Sequence, residues 1–140
     1  MNKTTQELLD ILKSSSDINH YIDQEQSNLV QIPLCEYLSQ MLMEKNISAS
    51  TLIQKSGLQK QYAYQILRGE RQPSRDKVLA ICFALRLSLD ETQMLLKQTG
   101  YPPLYARIEK DSILIFGLQR RISVTDVNEL LHDFGHEILA

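Results

Sequence analysis

Residues 47–73, ISASTLIQKSGLQKQYAYQILRGERQP, decide how the chain folds, because two short amphipathic helices joined by a tight glycine turn can be read directly from them. Ser48 is an N-cap for the first helix: its hydroxyl can accept from amides that lack an intrahelical partner, and Leu52 and Ile53 supply the buried side. Gly57 closes that helix, since glycine can take the left-handed conformation a helix end requires, and Gln59 starts the next one. At about 100° per residue, Tyr62, Ala63, Ile66 and Leu67 gather on one side of this second helix, and Gln61, Tyr64, Gln65 and Arg68 on the other. The latter side is hydrogen-bonding, aromatic and cationic. Gly69 ends the helix, Arg71 follows in the loop, and Pro73 with the N-cap residue Ser74 opens a further helix.

Outward from this pair, helical signals continue in both directions. Upstream, Pro33 suits the first turn of a helix whose stripe is Leu34, Tyr37, Leu38, Met41 and Leu42. Downstream, Val78, Leu79, Ile81, Cys82 and Leu85 mark a helix over residues 74–85, and Ser88 with Glu91 forms a capping box for one carrying Leu89, Met94, Leu95 and Leu96. That helix stops at Gly100, and Tyr101-Pro102-Pro103 forces an extended connection, because a residue before proline is pushed out of the helical region. The apolar run ILIF at 113–116 has no second strand-like run to pair with, so it reads as helix. A clearer helix covers residues 124–134, with Ser123 and Asp126 at its start and Gly135 at its end. At the other terminus, Leu8, Leu9, Ile11 and Leu12 give a helix over residues 5–13. Ser14-Ser15-Ser16-Asp17 breaks it, and Ile18, Tyr21 and Ile22 recur at helical spacing. The expected architecture is all-α: an N-terminal helical arm (1–32) packed on the main body, a central five-helix domain (33–100) and a C-terminal helical extension (101–140).

Ser48, Leu52, Gly57, Ile66, Arg68-Gly69, Arg71, Pro73-Ser74, Ile81, Ala84-Leu85 and Ser88-Leu89-Asp90-Glu91 carry a family resemblance. With them, residues 34–96 resemble the Xre family, the bacterial and phage helix-turn-helix regulators that include the lambda-type repressors and Cro proteins. The resemblance implies a lambda-repressor-like five-helix domain that binds double-stranded DNA sequence-specifically as a transcriptional regulator. Lys60, Gln61 and Gln65 match base-reading positions of the phage repressors. One departure is Ala49, which stands where the family often has a glutamine bridging a phosphate and the recognition helix.

The chemistry of the same residues is consistent with such a reader. Gln61 and Gln65 can each pair bidentately with adenine, Lys60 can donate to guanine or phosphate, and Tyr64 can pack on a thymine methyl. Arg68, Arg71 and the helix start at Ser48 are suited to phosphate, which sets register without reading sequence. Charge is blocked along the chain. Up to residue 46, Lys3, Lys13 and Lys45 face Glu7, Asp10, Asp17, Asp23, Glu25, Glu36 and Glu44. Between residues 55 and 77, Lys55, Lys60, Arg68, Arg71, Arg75 and Lys77 face only Glu70 and Asp76. The basic stretch therefore coincides with the motif, although the whole chain has a net charge of −2.

Other function classes find little support. At 140 residues and 43% hydrophobic content, with few glycines and prolines, the chain can build a real core. It shows neither a signal-peptide pattern nor a membrane-spanning run, so the expected location is cytoplasmic. Cys35 and Cys82 sit in apolar helical patterns without zinc spacing and read as buried, reduced thiols. His132 and His136 are four apart beside Asp133 and Glu137, but Gly135 interrupts the helix that would align them, so no metal is expected. With no phosphate loop and no nucleophile elbow, neither cofactor nor catalysis is expected. The expected partners are duplex DNA and a second copy of the chain, joined through residues 104–140. The competing reading is a helix-turn-helix scaffold that binds another protein, as an adaptor or antitoxin-like module, which Tyr62, Tyr64, the acidic flanks and Ala49 would also suit.

Overall fold

The computed structural model describes residues 3–15, 17–24 and 32–140 and divides into two units, Met1–Gln31 and Ile32–Ala140. Every regular element among the described residues is an α-helix. The first unit holds α1 (Thr5–Ser14), capped by the Thr4 hydroxyl on the Glu7 amide, and α2 (Ile18–Gln24). The second holds α3 (Leu34–Lys45), α4 (Ala49–Ser56), α5 (Lys60–Leu67), α6 (Arg75–Ala84), α7 (Leu89–Gln98), α8 (Glu109–Arg120) and α9 (Val124–Asp133). The run at 113–116 is helical, inside α8. Pro33 sits one residue earlier than expected, as the residue before the first turn of α3.

The second unit is built around α6. Val78, Leu79, Ala80, Ile81, Cys82, Phe83 and Ala84 are all buried, so this helix presents no solvent face along most of its length. A helix that is apolar all round must be covered all round. Packing against α4 covers one side, packing against α9 another, and Leu38, Leu95, Leu114, Leu118 and Leu131 belong to the same core. The C-terminal helices therefore share one core with the helices before residue 100, and Leu139 near the chain end is buried in it as well. Gly117 of α8 lets that helix approach α6 closely: a Cβ there would stand 3.0 Å from Cε1 of Phe83 and 3.2 Å from Cδ1 of Ile122.

Two ion pairs lock the start of α6 to α8. Arg75 donates to both carboxylate oxygens of Asp111 at 3.0 Å, and to the carbonyls of Pro102 and Pro103 at 2.9 Å. Lys110 reaches Asp76 at 2.8 Å. Asp111 also accepts from the Tyr105 amide. Burial alone would push its carboxyl up, but the Arg75 hydrogen bonds, the Tyr105 amide and the nearby positive charges outweigh that and hold it below the usual carboxylate range. Asn128 closes the far end of the unit, donating to the Ala140 carbonyl at 3.2 Å and accepting from the Leu139 amide at 2.8 Å.

The caps fall largely where the sequence places them. Ser88 and Glu91 form the reciprocal capping box, and Ser123 accepts from the Asp126 amide. Ser74 occupies the cap position of α6, but its side chain makes no capping bond. Cys82 is fully buried, which pushes its thiol up to about 12 and leaves it unreactive, whereas Cys35 is only half-buried.

Ser88→Ala is expected to lose about 0.5 to 2 kcal/mol, read as a lower urea midpoint, through loss of the capping bond to Glu91. Asp111→Asn is expected to cost about 2 to 4 kcal/mol at neutral pH, because it leaves the Arg75 guanidinium without its counter-charge. Since the folded carboxyl is depressed, that contribution is present above the unfolded value of about 3.9 and is lost as pH falls through the folded value. The stability gap between wild type and Asp111→Asn should therefore narrow in denaturation curves taken below about pH 4.

Candidate nucleic-acid interface

The turn between α4 and α5 is fixed by side chains at each of its joints. Ser48 donates to the Thr51 hydroxyl at 2.8 Å and accepts from the Thr51 amide at 3.1 Å, satisfying one of the first amides of α4, which have no intrahelical acceptor. The buried Ser56 hydroxyl donates to the Ile53 carbonyl at 2.8 Å and accepts from the Leu58 amide at 3.1 Å, stitching the end of α4 to the turn. Gly57 adopts φ 77°, as its place at the helix end requires. A Cβ there would lie 3.7 Å from both Ala140 and Val124, so the turn is backed by residues of the C-terminal segment. Gln59 caps α5, its side-chain oxygen accepting from the Tyr62 amide at 3.0 Å. Glutamine is not among the favoured capping residues, so this cap was not signalled by residue type.

This frame orients α5. Ala63 and Ile66 are buried against the core and Tyr62 and Leu67 half-buried, which turns Lys60, Gln61 and Arg68 to solvent. Gln65 and Tyr64 lie between these sides and are half-buried; Tyr64 packs on the edge of the core instead of standing fully outward. Lys60 and Tyr64 border a shallow groove between the two helices whose other walls are Ser50, Ile53, Gln54, Gly57 and Leu58. The exposed Ser50 and Gln54 of α4 thus join the α5 residues along one surface. Their sequence spacing alone gave no reason to single them out, because which side of α4 adjoins α5 depends on the angle of the turn.

The loop after α5 gathers the cations. Gly69 has φ 78°, and a Cβ there would come within 3.0 Å of the Cys35 sulfur, so both backbone and space call for glycine. Arg68 pairs with Glu70 at 2.7 Å in full solvent exposure; the shared hydrogen bond raises the guanidinium pKa and lowers the carboxyl. Arg71 donates from Nε to the Gln65 side-chain oxygen at 3.2 Å, and its guanidinium lies 5.8 Å from the centre of the Tyr62 ring. The Lys77 ammonium lies 5.6 Å from the same centre, so two cations hold to one aromatic ring.

Two members of this region do different work from the rest. Arg75, one of the bases in the cationic stretch, is committed to Asp111 and the Pro102 and Pro103 carbonyls, so its charge is spent on the fold. Tyr101 donates its hydroxyl to the Pro73 carbonyl at 2.6 Å and accepts from the Gln72 side-chain Nε2 at 2.8 Å. Burial pushes this phenol up, which keeps it protonated as a donor. Tyr101 thereby ties the loop carrying Arg71 to the segment after α7. The tie spans nearly thirty residues of sequence and carries no local signal. At the other end of the chain, His136 meets Glu109 of α8 at 2.6 Å, while His132 is exposed. Among the described residues, no helix is long and apolar enough to cross a membrane.

Neither the comparison with curated proteins nor that with solved structures finds a match. A family model does match: residues 37–91 fit the Cro/C1-type helix-turn-helix DNA-binding domain. That span runs from the middle of α3 into α7 and contains both helices of the turn, the cationic loop and the buried α6. Over residues 37–91 the chain is thus similar to Cro/C1-type helix-turn-helix DNA-binding domains, consistent with a helix-turn-helix of the Xre kind.

Proposed function

We propose that the chain binds duplex DNA sequence-specifically through α5 and acts as a transcriptional regulator, by binding and not by catalysis. The observation that carries this reading is the placement of Lys60 and Gln61. Both are exposed on the first turn of α5, the end that enters a major groove in this class of domain, while Ala63 and Ile66 anchor the opposite side. Gln61 pairs with adenine, Lys60 donates to guanine or to phosphate, and Tyr64 packs on a thymine methyl at the border of the groove.

Gln65 and Arg71 act together. The bond between them aligns a base-reading amide with a guanidinium that can take a phosphate, coupling register to readout. Arg68 supplies a second phosphate contact after exchanging Glu70 for a phosphate oxygen, a small cost for an ion pair in open solvent. The free amides at the start of α4, beside Ser48, provide a third. A single domain reads few base pairs, so the working unit is a homodimer joined through residues 104–140, with its two α5 helices about 34 Å apart on successive major grooves of a palindromic site.

Selection of bound duplexes from a random pool with the purified protein tests the reading, and enrichment of one palindromic sequence is the expected result. Gln61→Ala and Gln65→Ala should each cost about 1 to 3 kcal/mol on that site and relax its base preference. Arg71→Ala should weaken binding to all duplexes alike and reduce the salt slope by about one unit. No duplex bound at about 50 mM salt, where phosphate contacts are strongest, would refute DNA reading and send the search to a protein partner on the face around Tyr64. Tyr101→Phe removes the hydroxyl that holds the loop at Pro73. It should weaken duplex binding by roughly 3- to 10-fold without altering base preference, measured by titration on the selected site and on a single-base variant of it.

A further inference from the structure

An apolar cleft opens on the outer side of the last two helices. Ser112, Ile113 and Phe116 of α8 form one wall, and Leu130 and Phe134 at the end of α9 form the other, around a volume of about 370 Å³. Two large rings stand at its edge: Phe116 is 45% exposed and Phe134 61% exposed. A space of this size would admit a small molecule, but small-molecule sites carry a few inward polar groups that orient the ligand. Here the Ser112 hydroxyl is turned away, donating to the Ala106 and Ile108 carbonyls at 2.6 and 3.1 Å, so the lining is apolar throughout. Such a lining suits apolar side chains of another macromolecule, whose polar groups stay at the rim.

The rim is acidic along α9. Asp126, Glu129 and Asp133 recur at helical spacing, and Asp126 and Asp133 adjoin Leu130 on the helix surface, four residues before it and three after. All three are exposed, and none takes part in an ion pair among the described residues. Glu137 follows them just past the helix. The α8 wall is different: Arg120 stacks on Phe116, 3.6 Å from the ring centre, and donates to its carbonyl at 3.3 Å, while Glu109 at the other end is bonded to His136. Uncompensated negative charge therefore lies on the α9 side, which excludes a phosphate backbone or an anionic membrane surface. A second copy does not supply the complement either, because apart from Arg120 its own cleft carries the same acids.

We propose that this cleft docks an amphipathic helix of another protein, with apolar anchors between α8 and α9 and a row of lysines or arginines lying along Asp126, Glu129 and Asp133. A helix laid in a groove presents its anchors at i, i+3 or i+4, and i+7, so charges on one of its edges run parallel to the groove and meet a row of opposite sign. The apolar contacts bury the Phe116 and Phe134 rings, and the charge row steers the encounter and fixes the direction of the bound helix. Arg120 opposes a second basic edge on the α8 side, so the partner is basic on one edge only. The cleft lies outside residues 37–91 and shares no residue with the α5 face, so its occupant does not depend on the DNA reading.

A displayed library of helical peptides, with leucine fixed at i, i+4 and i+7 and random residues on both edges, is selected on the purified full chain to test this. Enriched peptides should carry lysine or arginine on one edge and bind with micromolar affinity in a titration followed by fluorescence anisotropy. Phe134→Ser removes an exposed ring that the fold does not need, and it should weaken the selected peptide by roughly tenfold or more, with far-UV circular dichroism unchanged. Asp126→Lys combined with Asp133→Lys should reverse the preference, favouring a version of the same peptide with glutamate in place of its bases. Absence of enrichment, or enrichment of neutral or acidic edges, overturns the proposal. So does a selected peptide that binds the Phe134→Ser protein as well as wild type, or whose affinity survives the charge reversal. Sedimentation gives the remaining outcome: a wild-type dimer that Phe134→Ser splits into monomers assigns the cleft to a second copy and overturns docking of another protein.

Discussion

A helix without a polar face cannot lie on the surface of a protein, and α6 is such a helix: from Val78 to Leu85 every side chain is buried. The rest of the second unit follows from that constraint. α4 covers one side of α6 and α9 another, and the C-terminal residues 101–140 become part of the domain's core instead of an appendage to it. Leu104, Leu114, Leu118, Val127, Leu131 and Leu139 all belong to the same buried cluster as Leu38 and Leu52. Close contact of α8 with α6 further depends on Gly117, where even a methyl group would press on Phe83.

The same arrangement supports the two-helix motif from two directions. Val124 and Ala140 stand behind the turn at Gly57, where the angle between α4 and α5 is set. Tyr101 holds the carbonyl of Pro73 and the side chain of Gln72, in the loop after α5 that carries Arg71. Between these points, Arg75 joins the start of α6 to Asp111 and to the Pro102-Pro103 connection. A groove-reading helix needs its side chains in fixed register to the backbone contacts on either side, and supports of this kind limit the freedom of both.

Charge is divided between these tasks by burial. Asp111 is almost wholly buried and pairs with Arg75 in two parallel hydrogen bonds, the geometry in which an ion pair contributes most to a fixed structure. Arg68 and Glu70 pair in open solvent, where the attraction is weak and easily exchanged for another anion. Two arginines seven residues apart in the same cationic stretch thus differ in availability, one closed off by the fold and one left in open solvent.

The local features were legible in the sequence because they depend on neighbours a few residues apart. Ser48, Ser88 with Glu91, and Ser123 cap their helices; Gly57 and Gly69 take the left-handed conformation; and 3.6-residue periodicity places Ala63 and Ile66 inward and Gln61 and Arg68 outward on α5. The family pattern over residues 37–91 rests on the same short-range spacing. What only the tertiary structure decided are contacts between residues far apart in the chain. Composition counted Arg75 with the free bases, whereas Asp111, 36 residues away, claims it. Periodicity placed Tyr64 on the outward side, whereas the angle of α5 against the core leaves it half-buried. Tyr101 gave no sign of its bond to Pro73, 28 residues earlier. Residue type and spacing determine which way a side chain leaves its own helix, but its partner is fixed only when the helices have packed.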